Sequence, residues 1–418
     1  MSTALDNRLA AALDAEDALG LLRGAIGHES ITGNEAGFAH FLAEEMRRRG
    51  LGEVRLDDFV PGRPNVRGER RGAGGGPRLL FIGHTDTVHV EGWRDYWKGT
   101  AREDPFAAPV IDGAVWGRGA GDLKAGIAAS LAALGVLDRA GVRLAGDLAY
   151  AFVGDEESGE PGTGISAGVR AYAGEIAAGA VSRPDFVVYV EPTRLAVYAA
   201  QMGFFIAEIT VRGRSAYFGV PELGHDALKA THAIISALWA HSEEIGARAE
   251  HPLVGRGFLL VTGIEGGGFI AVPERCKLSL IRKLLPGESL DVASAELEAV
   301  VRGAIADPEI RVEIAYPAGR DHPLGGTPAE TDPTLDPVRQ LSAAVSGAMQ
   351  GRGGIEGAPF WSEVPFFTAI GAPAVYCAPG DIRNCHTFDE HVELDEFHAG
   401  VLAFARFIAS YCGVVEGS

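Results

Sequence analysis

The sequence predicts an α/β fold, with a mostly parallel-sheet domain interrupted by a smaller ferredoxin-like domain of order β-α-β-β-α-β. Four short apolar runs carry the first half of that expectation: RLLFIG at 78–83, LAYAFVG at 148–154, FVVYVE at 186–191 and PAVYC at 373–377. They lack the alternation of a half-exposed strand, so they read as strands covered on both faces. Helix-forming segments separate them. In KAGIAASLAALGVLDRAG, at 124–141, alanine and leucine favour helix and Gly141 offers a stop, and DEFHAGVLAFARFIASYC, at 395–412, supplies a second covering helix. Strands alternating with helices of this length are the pattern of a parallel sheet. The rhythm then changes from 204 to 316. FFIAEITVRG reads as strand, HDALKATHAIISALWAHSEEIG as helix, GFLLVTGIEG and CKLSLIRKL as strands, ESLDVASAELEAVVRGAIAD as helix and IRVEIAY as strand. The predicted boundaries are therefore 1–203 and 317–418 for the two parts of the larger domain and 204–316 for the insertion.

Composition narrows the partners. A chain of 418 residues, 47% hydrophobic, can fill the cores of two domains. Its 37 Lys and Arg against 56 Asp and Glu give a formal charge of -19, which repels polyphosphate, so no nucleic-acid partner is expected. Cys276, Cys377, Cys385 and Cys412 form no C-x-x-C pair, so neither a disulfide framework nor a thiolate zinc site is indicated and a reducing cytoplasm is the simplest location. The amino end scatters acids among its alanines, unlike a signal peptide, and no uninterrupted apolar stretch has membrane-spanning length, so no membrane partner is expected.

Acids and histidines gather where the predicted strands end. His84 and Asp86 in FIGHTDTVHV follow the first strand; two residues apart in extended chain they share a side, which lets Asp86 orient the imidazole. Asp122 in VWGRGAGDLKAG lies between a glycine-rich turn and the long helix, which it could simply cap. The turn is no phosphate loop, since Lys124 is followed by Ala125 rather than Ser or Thr. FVGDEESGEPG ends another strand with Asp155, Glu156 and Glu157 in succession; such neighbours repel unless a cation or proton compensates, so one can ligate metal while the other handles a proton. Glu191 in YVEPT and His386 in RNCHTFDEHV follow the remaining two strands. Two imidazoles and three carboxylates suit a borderline divalent metal, with zinc first and cobalt or manganese as alternatives, and a pair of such ions can share a carboxylate and a water.

The motifs GHTDTV, GRGAGDLKAG, VGDEESG, VEPT and CHTFDEHV together resemble the co-catalytic zinc metallopeptidase and aminoacylase family, over almost the whole chain. The resemblance implies two metal ions per subunit, one held by His84, Asp122 and Glu191 and the other by Asp122, Glu157 and His386, with Asp122 as bridge. It implies that Asp86 supports His84, that Glu156 takes the proton of the metal-held water and delivers it to the departing nitrogen, and that the Asp122–Leu123 peptide is cis. The sheet domain would then be catalytic and the insertion a lid that closes over a small-molecule substrate and mediates a homodimer. The expected reaction is hydrolysis of an amide or related carbon-nitrogen bond, as in an N-acyl amino acid or small peptide.

The insertion departs from that family where substrate would be touched. Tyr217 replaces the usual His in GRSAYFG, Ile270 replaces an Asn in GGGFIAVPERC, and Lys283 stands for the substrate-carboxylate Arg before the Pro-Gly of IRKLLPG. Lysine offers a point charge in place of a bidentate fork. PFWSEVPFF replaces a Gly-Thr-Asp turn with Phe360, Trp361 and Glu363. These six are the tentative substrate-binding residues, and Tyr217, Ile270, Phe360 and Trp361 together raise a second reading, a specialised hydrolase of an aromatic or heterocyclic carbon-nitrogen bond. Two rivals come from other classes: a serine hydrolase built on GISAG around Ser166, beyond Gly159 and Pro161 in a predicted loop, and a binding protein without catalysis on the same fold. His225 and His232, seven apart on one predicted helix, read as packing or surface residues, Cys385 as packing, and His89 as a candidate for pocket lining only.

Overall fold

The structure is a computed structural model and describes residues 2–157 and 162–415. The chain divides into two compact units, Met1–Ala199 with Thr331–Gly357 and Phe366–Ser418, and Ala200–Glu330 with Ala358–Pro365.

In the first unit the four apolar runs form adjacent parallel strands in the spatial order Leu148–Val153, Leu79–His84, Phe186–Tyr189, Ala374–Tyr376. Every residue of these strands is buried, as expected of strands covered on both faces. The helix Ala125–Arg139 packs against Leu394–Tyr411 and is buried along almost its whole length. The stretch Ala120–Arg139 meets a length and hydropathy criterion for crossing a bilayer, which the reading of uninterrupted apolar runs passed over, but 94% of it lies inside the protein. A hairpin extends the sheet antiparallel beside Leu148–Val153, through Gly52–Val60 and Arg63–Arg70. Its strands, GEVRLDDFV and RPNVRGER, are too polar for a search for apolar runs to find.

The second unit follows the β-α-β-β-α-β order, with strands Gly203–Arg212, Phe258–Gly266, Arg275–Leu284 and Arg311–Ala315, and helices Ala227–Arg248 and Leu290–Gly303. All pairings are antiparallel, in the spatial order Phe258–Gly266, Arg275–Leu284, Gly203–Arg212, Arg311–Ala315. Alternate residues Phe205, Ala207, Ile209 and Val211 join Leu278 and Leu280 in a core closed by Ile234, Leu238, Leu297 and Val301 from the helices. This unit is longer than the segment 204–316. Gly325–Gly326 pairs with Phe204 and Phe205, and Trp361 stands edge-on to Phe204 while donating its Nε1–H to Thr327 O at 3.0 Å. A Cβ on Gly326 would meet the Trp361 indole at 2.4 Å, so only glycine admits that ring. Phe360, Trp361 and Glu363 thus belong to the second unit although 317–418 was assigned to the first, because pattern reading cannot see a contact between distant segments.

Candidate metal centre

Parallel strands that start in register also end together, and here they end in acids and histidines. His84 closes its strand opposite Val153, two residues ahead of Asp155, and Glu191 comes two residues after Tyr189. Asp122 arrives from another direction, in the turn that enters Ala125–Arg139, and the Asp122–Leu123 peptide is cis. Gly126 lets that helix lie close to the Glu191 strand, since a Cβ there would sit 2.2 Å from Val190 O. His386 lies in the loop after Ala374–Tyr376 with φ 63, in the left-handed region uncommon for side chains other than glycine.

The five expected ligands converge. His84 Nε2 lies 3.1 Å from Asp122 Oδ1 and 3.8 Å from Glu191 Oε1, while His386 Nε2 lies 3.1 Å from Asp122 Oδ2 and 2.7 Å from Glu157 Oε1. The two oxygens of Asp122 therefore face two different imidazoles. Candidate ligand atoms of His84, Asp122 and Glu191 lie within 4.8 Å of one another, as do those of Asp122, Glu157 and His386, and of His84, Glu156 and Glu157. Only His386 has substantial access, with its side chain 50% exposed against 1% for His84.

The electrostatics fit a cation. Burial would push His84 down, but the hydrogen bond to Asp122 and the charges of Glu191, Asp122 and Glu156 hold it well above the ordinary imidazole range. Hydrogen bonds with Asp122 and Glu157 push His386 up to about 11. Burial alone would raise Asp122, yet His386 and His84 hold it below the usual carboxylate range. Carboxylates that pull protons this strongly onto imidazoles will equally favour a divalent ion, and His84 Nδ1, 2.9 Å from the carbonyl oxygen of Asp86, donates there and leaves Nε2 toward the cluster. The donor set, nitrogen and carboxylate oxygen without thiolate, suits zinc, cobalt or manganese.

Asp86 supports His84 differently from expectation. Its backbone carbonyl accepts the hydrogen bond of His84 Nδ1, and its carboxylate Oδ1 lies 3.8 Å from that nitrogen. That carboxylate turns to the backbone N–H groups of Glu156 and Glu157, at 3.2 and 2.8 Å, because two adjacent donors hold it more firmly than one. Burial, with Glu35 and Glu157 nearby, pushes Asp86 up to about 7 against the pull of His84.

Some supporting residues escaped the sequence reading. Glu390 accepts from the backbone of Gly121 and Asp122 at 3.2 and 3.1 Å and pairs with Arg118, tying the Asp122 turn to the His386 loop. The signal open to sequence reading was an acid four residues beyond His386, inside the CHTFDEHV motif, and the structure buries it. Trp97 Nε1 donates to Phe388 O at 2.7 Å and steadies the same loop.

The residues marked for substrate lie in the second unit. Tyr217 and Ile270 are exposed, and Tyr217 bridges to Ala271. Phe360 is half-buried and Glu363 is fully buried. Lys283 Nζ donates to Val254 O at 2.5 Å and sits over the Phe258 ring, and burial lowers its pKa. Arg282, on the opposite face, pairs with Glu288. Among the described residues Ser166 Oγ has no hydrogen-bond partner, and no imidazole is placed on it; Gly159 and Pro161 of its predicted loop fall outside the described residues. His225 precedes its helix, which begins at Ala227 behind the Asp226 cap, and bonds Asp307 at 2.7 Å, so it shares no helix face with His232. His89 is exposed, and all four cysteines are free and buried.

The chain is similar to several known proteins. The acetylornithine deacetylase of Myxococcus xanthus is 27% identical over 368 residues, covering 86% of this chain and 87% of its own. The N-formyl-4-amino-5-aminomethyl-2-methylpyrimidine deformylase of Bacillus subtilis is 25% identical over 405 residues, covering 91% of this chain and 90% of its own. A tripeptidase from Staphylococcus aureus has the same fold, with a TM-score of 0.74 at 16% identity, covering 96% of this chain and 99% of that one. Residues 80–410 match the model of peptidase family M20/M25/M40, and the chain belongs to that family.

Proposed function

We propose that this protein hydrolyses an amide or related carbon-nitrogen bond of an N-acyl amino acid or small peptide, with two divalent ions held by His84, Asp122 and Glu191 and by Asp122, Glu157 and His386. The observation that carries the reading is Asp122 placed with one oxygen 3.1 Å from each of two imidazoles, while Glu156 stands beside the ligand set. When bound, the ions polarise the scissile carbonyl and acidify a water. Glu156 accepts the proton of that water as it attacks and delivers it to the leaving nitrogen, which an amide needs because its nitrogen departs poorly as an anion. Asp86 keeps Glu156 in place through the backbone N–H of that residue. Zinc is our first assignment for both positions, and the resemblance of the second unit to a lid supports a homodimer formed through it. The four buried free cysteines suit the reducing cytoplasm.

The test is a screen of protein reloaded separately with zinc, cobalt and manganese against N-acyl amino acids, dipeptides and aryl amides. Glu156→Ala should keep its metal and lose at least ~100-fold in turnover; a metal-loaded variant of near-normal rate would remove Glu156 from the mechanism. The similarity to a pyrimidine deformylase over 91% of this chain favours one second reading, an acylated aromatic or heterocyclic amine as substrate. Preference for aryl amides over N-acyl amino acids in the same screen would decide for it.

A further inference from the structure

The peptide carrying Glu156 and Glu157 is held by Asp86 on one side and Asp155 on the other, and both lead back to a segment no motif includes. Downstream, the Asp86 carboxylate accepts from the N–H groups of Glu156 and Glu157, and its Oδ2 also accepts from the Thr32 hydroxyl at 3.1 Å. Upstream, Asp155 is in the left-handed region with φ 76, and its carboxylate accepts from the backbones of Gly164, Ile165 and Ala167 and from Arg63 Nη2 at 2.9 Å. The other carboxylate on Arg63 is Glu35, whose Oε2 accepts from Nε at 2.9 Å. Thr32 and Glu35 belong to one short stretch docked on the His84 strand's exit, where Thr87 N donates to Ser30 O and Thr32 N to Thr87 O. Ser30, Thr32 and Glu35 are all nearly or fully buried.

We propose that Ser30–Glu35 is a positioning element for the proton-carrying acid: Thr32 acts through Asp86, and Glu35 acts through Arg63 and Asp155, to fix the backbone on either side of Glu156. The proposal rests on the functional reading above in what Glu156 does and in the metal with which the chain is loaded for its test; the bracket itself is a statement about the chain. A hydroxyl on Asp86 restricts the carboxylate to the orientation that meets two consecutive N–H groups, and a guanidinium bonded to two buried acids cannot follow one without the other. Neither Thr32 nor Arg63 is among the five ligands, so each is a positioning residue.

The experiment is amide hydrogen exchange by mass spectrometry on the zinc-loaded full chain, with Thr32→Val, Thr32→Ser and Arg63→Lys. Valine keeps the shape of threonine and removes the donor; lysine keeps the charge and cannot span both acids. Thr32→Val is expected to speed exchange at Glu156 and Glu157 by about tenfold, the scale of one hydrogen bond to a charged group, with Thr32→Ser at the parent rate. Arg63→Lys is expected to speed exchange at Gly164, Ile165 and Ala167. Zinc binding, read by competition with a chelator, should still reach two equivalents in every variant. Unchanged exchange in both Thr32→Val and Arg63→Lys overturns the bracket, and so does an acceleration spread evenly over the first unit. On N-acetyl-L-ornithine, Thr32→Val should lower kcat about tenfold with KM within about twofold, and add nothing in a Glu156→Ala background, since both changes act on one group. Failure of the parent protein to turn over any acyl amine, or full activity of Glu156→Ala, counts against the functional reading and leaves the exchange result to judge the bracket.

Discussion

The two units teach different lessons about how a sequence holds chemistry. In the first, five ligands from five distant segments meet because parallel strands in register deliver their C-terminal ends to one edge, and Gly126 lets a helix bring Asp122 to the same place. In the second, three of the six residues that break the family pattern have local partners. Lys283 is engaged by Val254 O, Trp361 by Thr327 O, and Tyr217 bridges to Ala271. Groups that hold one another through several bonds are all disturbed by one substitution, whereas side chains with a single local partner can change one at a time.

The sharpest way to break this contrast is Asp122→Ala. Losing the shared carboxylate should empty both metal positions and abolish turnover, a larger loss than any single change in the second unit; retention of one tightly bound equivalent, by metal analysis after dialysis, would show that Asp122 is no bridge. A second measurement sharpens the first unit's side. Neighbouring carboxylates hold both imidazoles up, His84 well above the ordinary range and His386 at about 11, so a divalent ion bound as proposed would have to displace protons. The sign follows directly: protons occupy the free site, so raising the pH favours the metal. Affinity from pH 6 to 8 should rise about tenfold per pH unit for each proton released, and a flat profile by competition titration would mean neutral imidazoles in the free site. The smallest effect belongs to the second unit. Lys283→Met should cost about 1 kcal/mol of stability through the lost bond to Val254 and leave KM within about threefold; a KM increase of tenfold or more would make Lys283 the anchor of a substrate carboxylate.

Much of the fold was legible because its signals were local. Apolar runs marked the four central strands, and the β-α-β-β-α-β rhythm appeared segment by segment. The convergence of the candidate ligands was legible because acids at the ends of buried strands need a counter-charge. The edge hairpin Gly52–Val60 and Arg63–Arg70 was not, since its polar strands carry no apolar run. Thr32, Glu35 and Arg63 were hidden for another reason. Each is an ordinary residue in its own neighbourhood, and its importance arises only from groups such as Asp86 and Asp155, more than fifty residues away in the case of Thr32. Asp86 was placed correctly but with the wrong atom facing His84, because spacing fixes which side a residue faces and leaves open whether backbone or side chain makes the bond.

The unequal exposure of the two imidazoles, 50% for His386 and 1% for His84, bears on how the protein would be handled at the bench. With two ions bound as proposed, a chelator should reach the ion on His386 before the ion on His84, and a different metal supplied afterwards should enter the position on His386 first. Heterobimetallic protein would then be a matter of timing, giving spectroscopists a silent ion inside and a coloured or paramagnetic reporter beside Glu157.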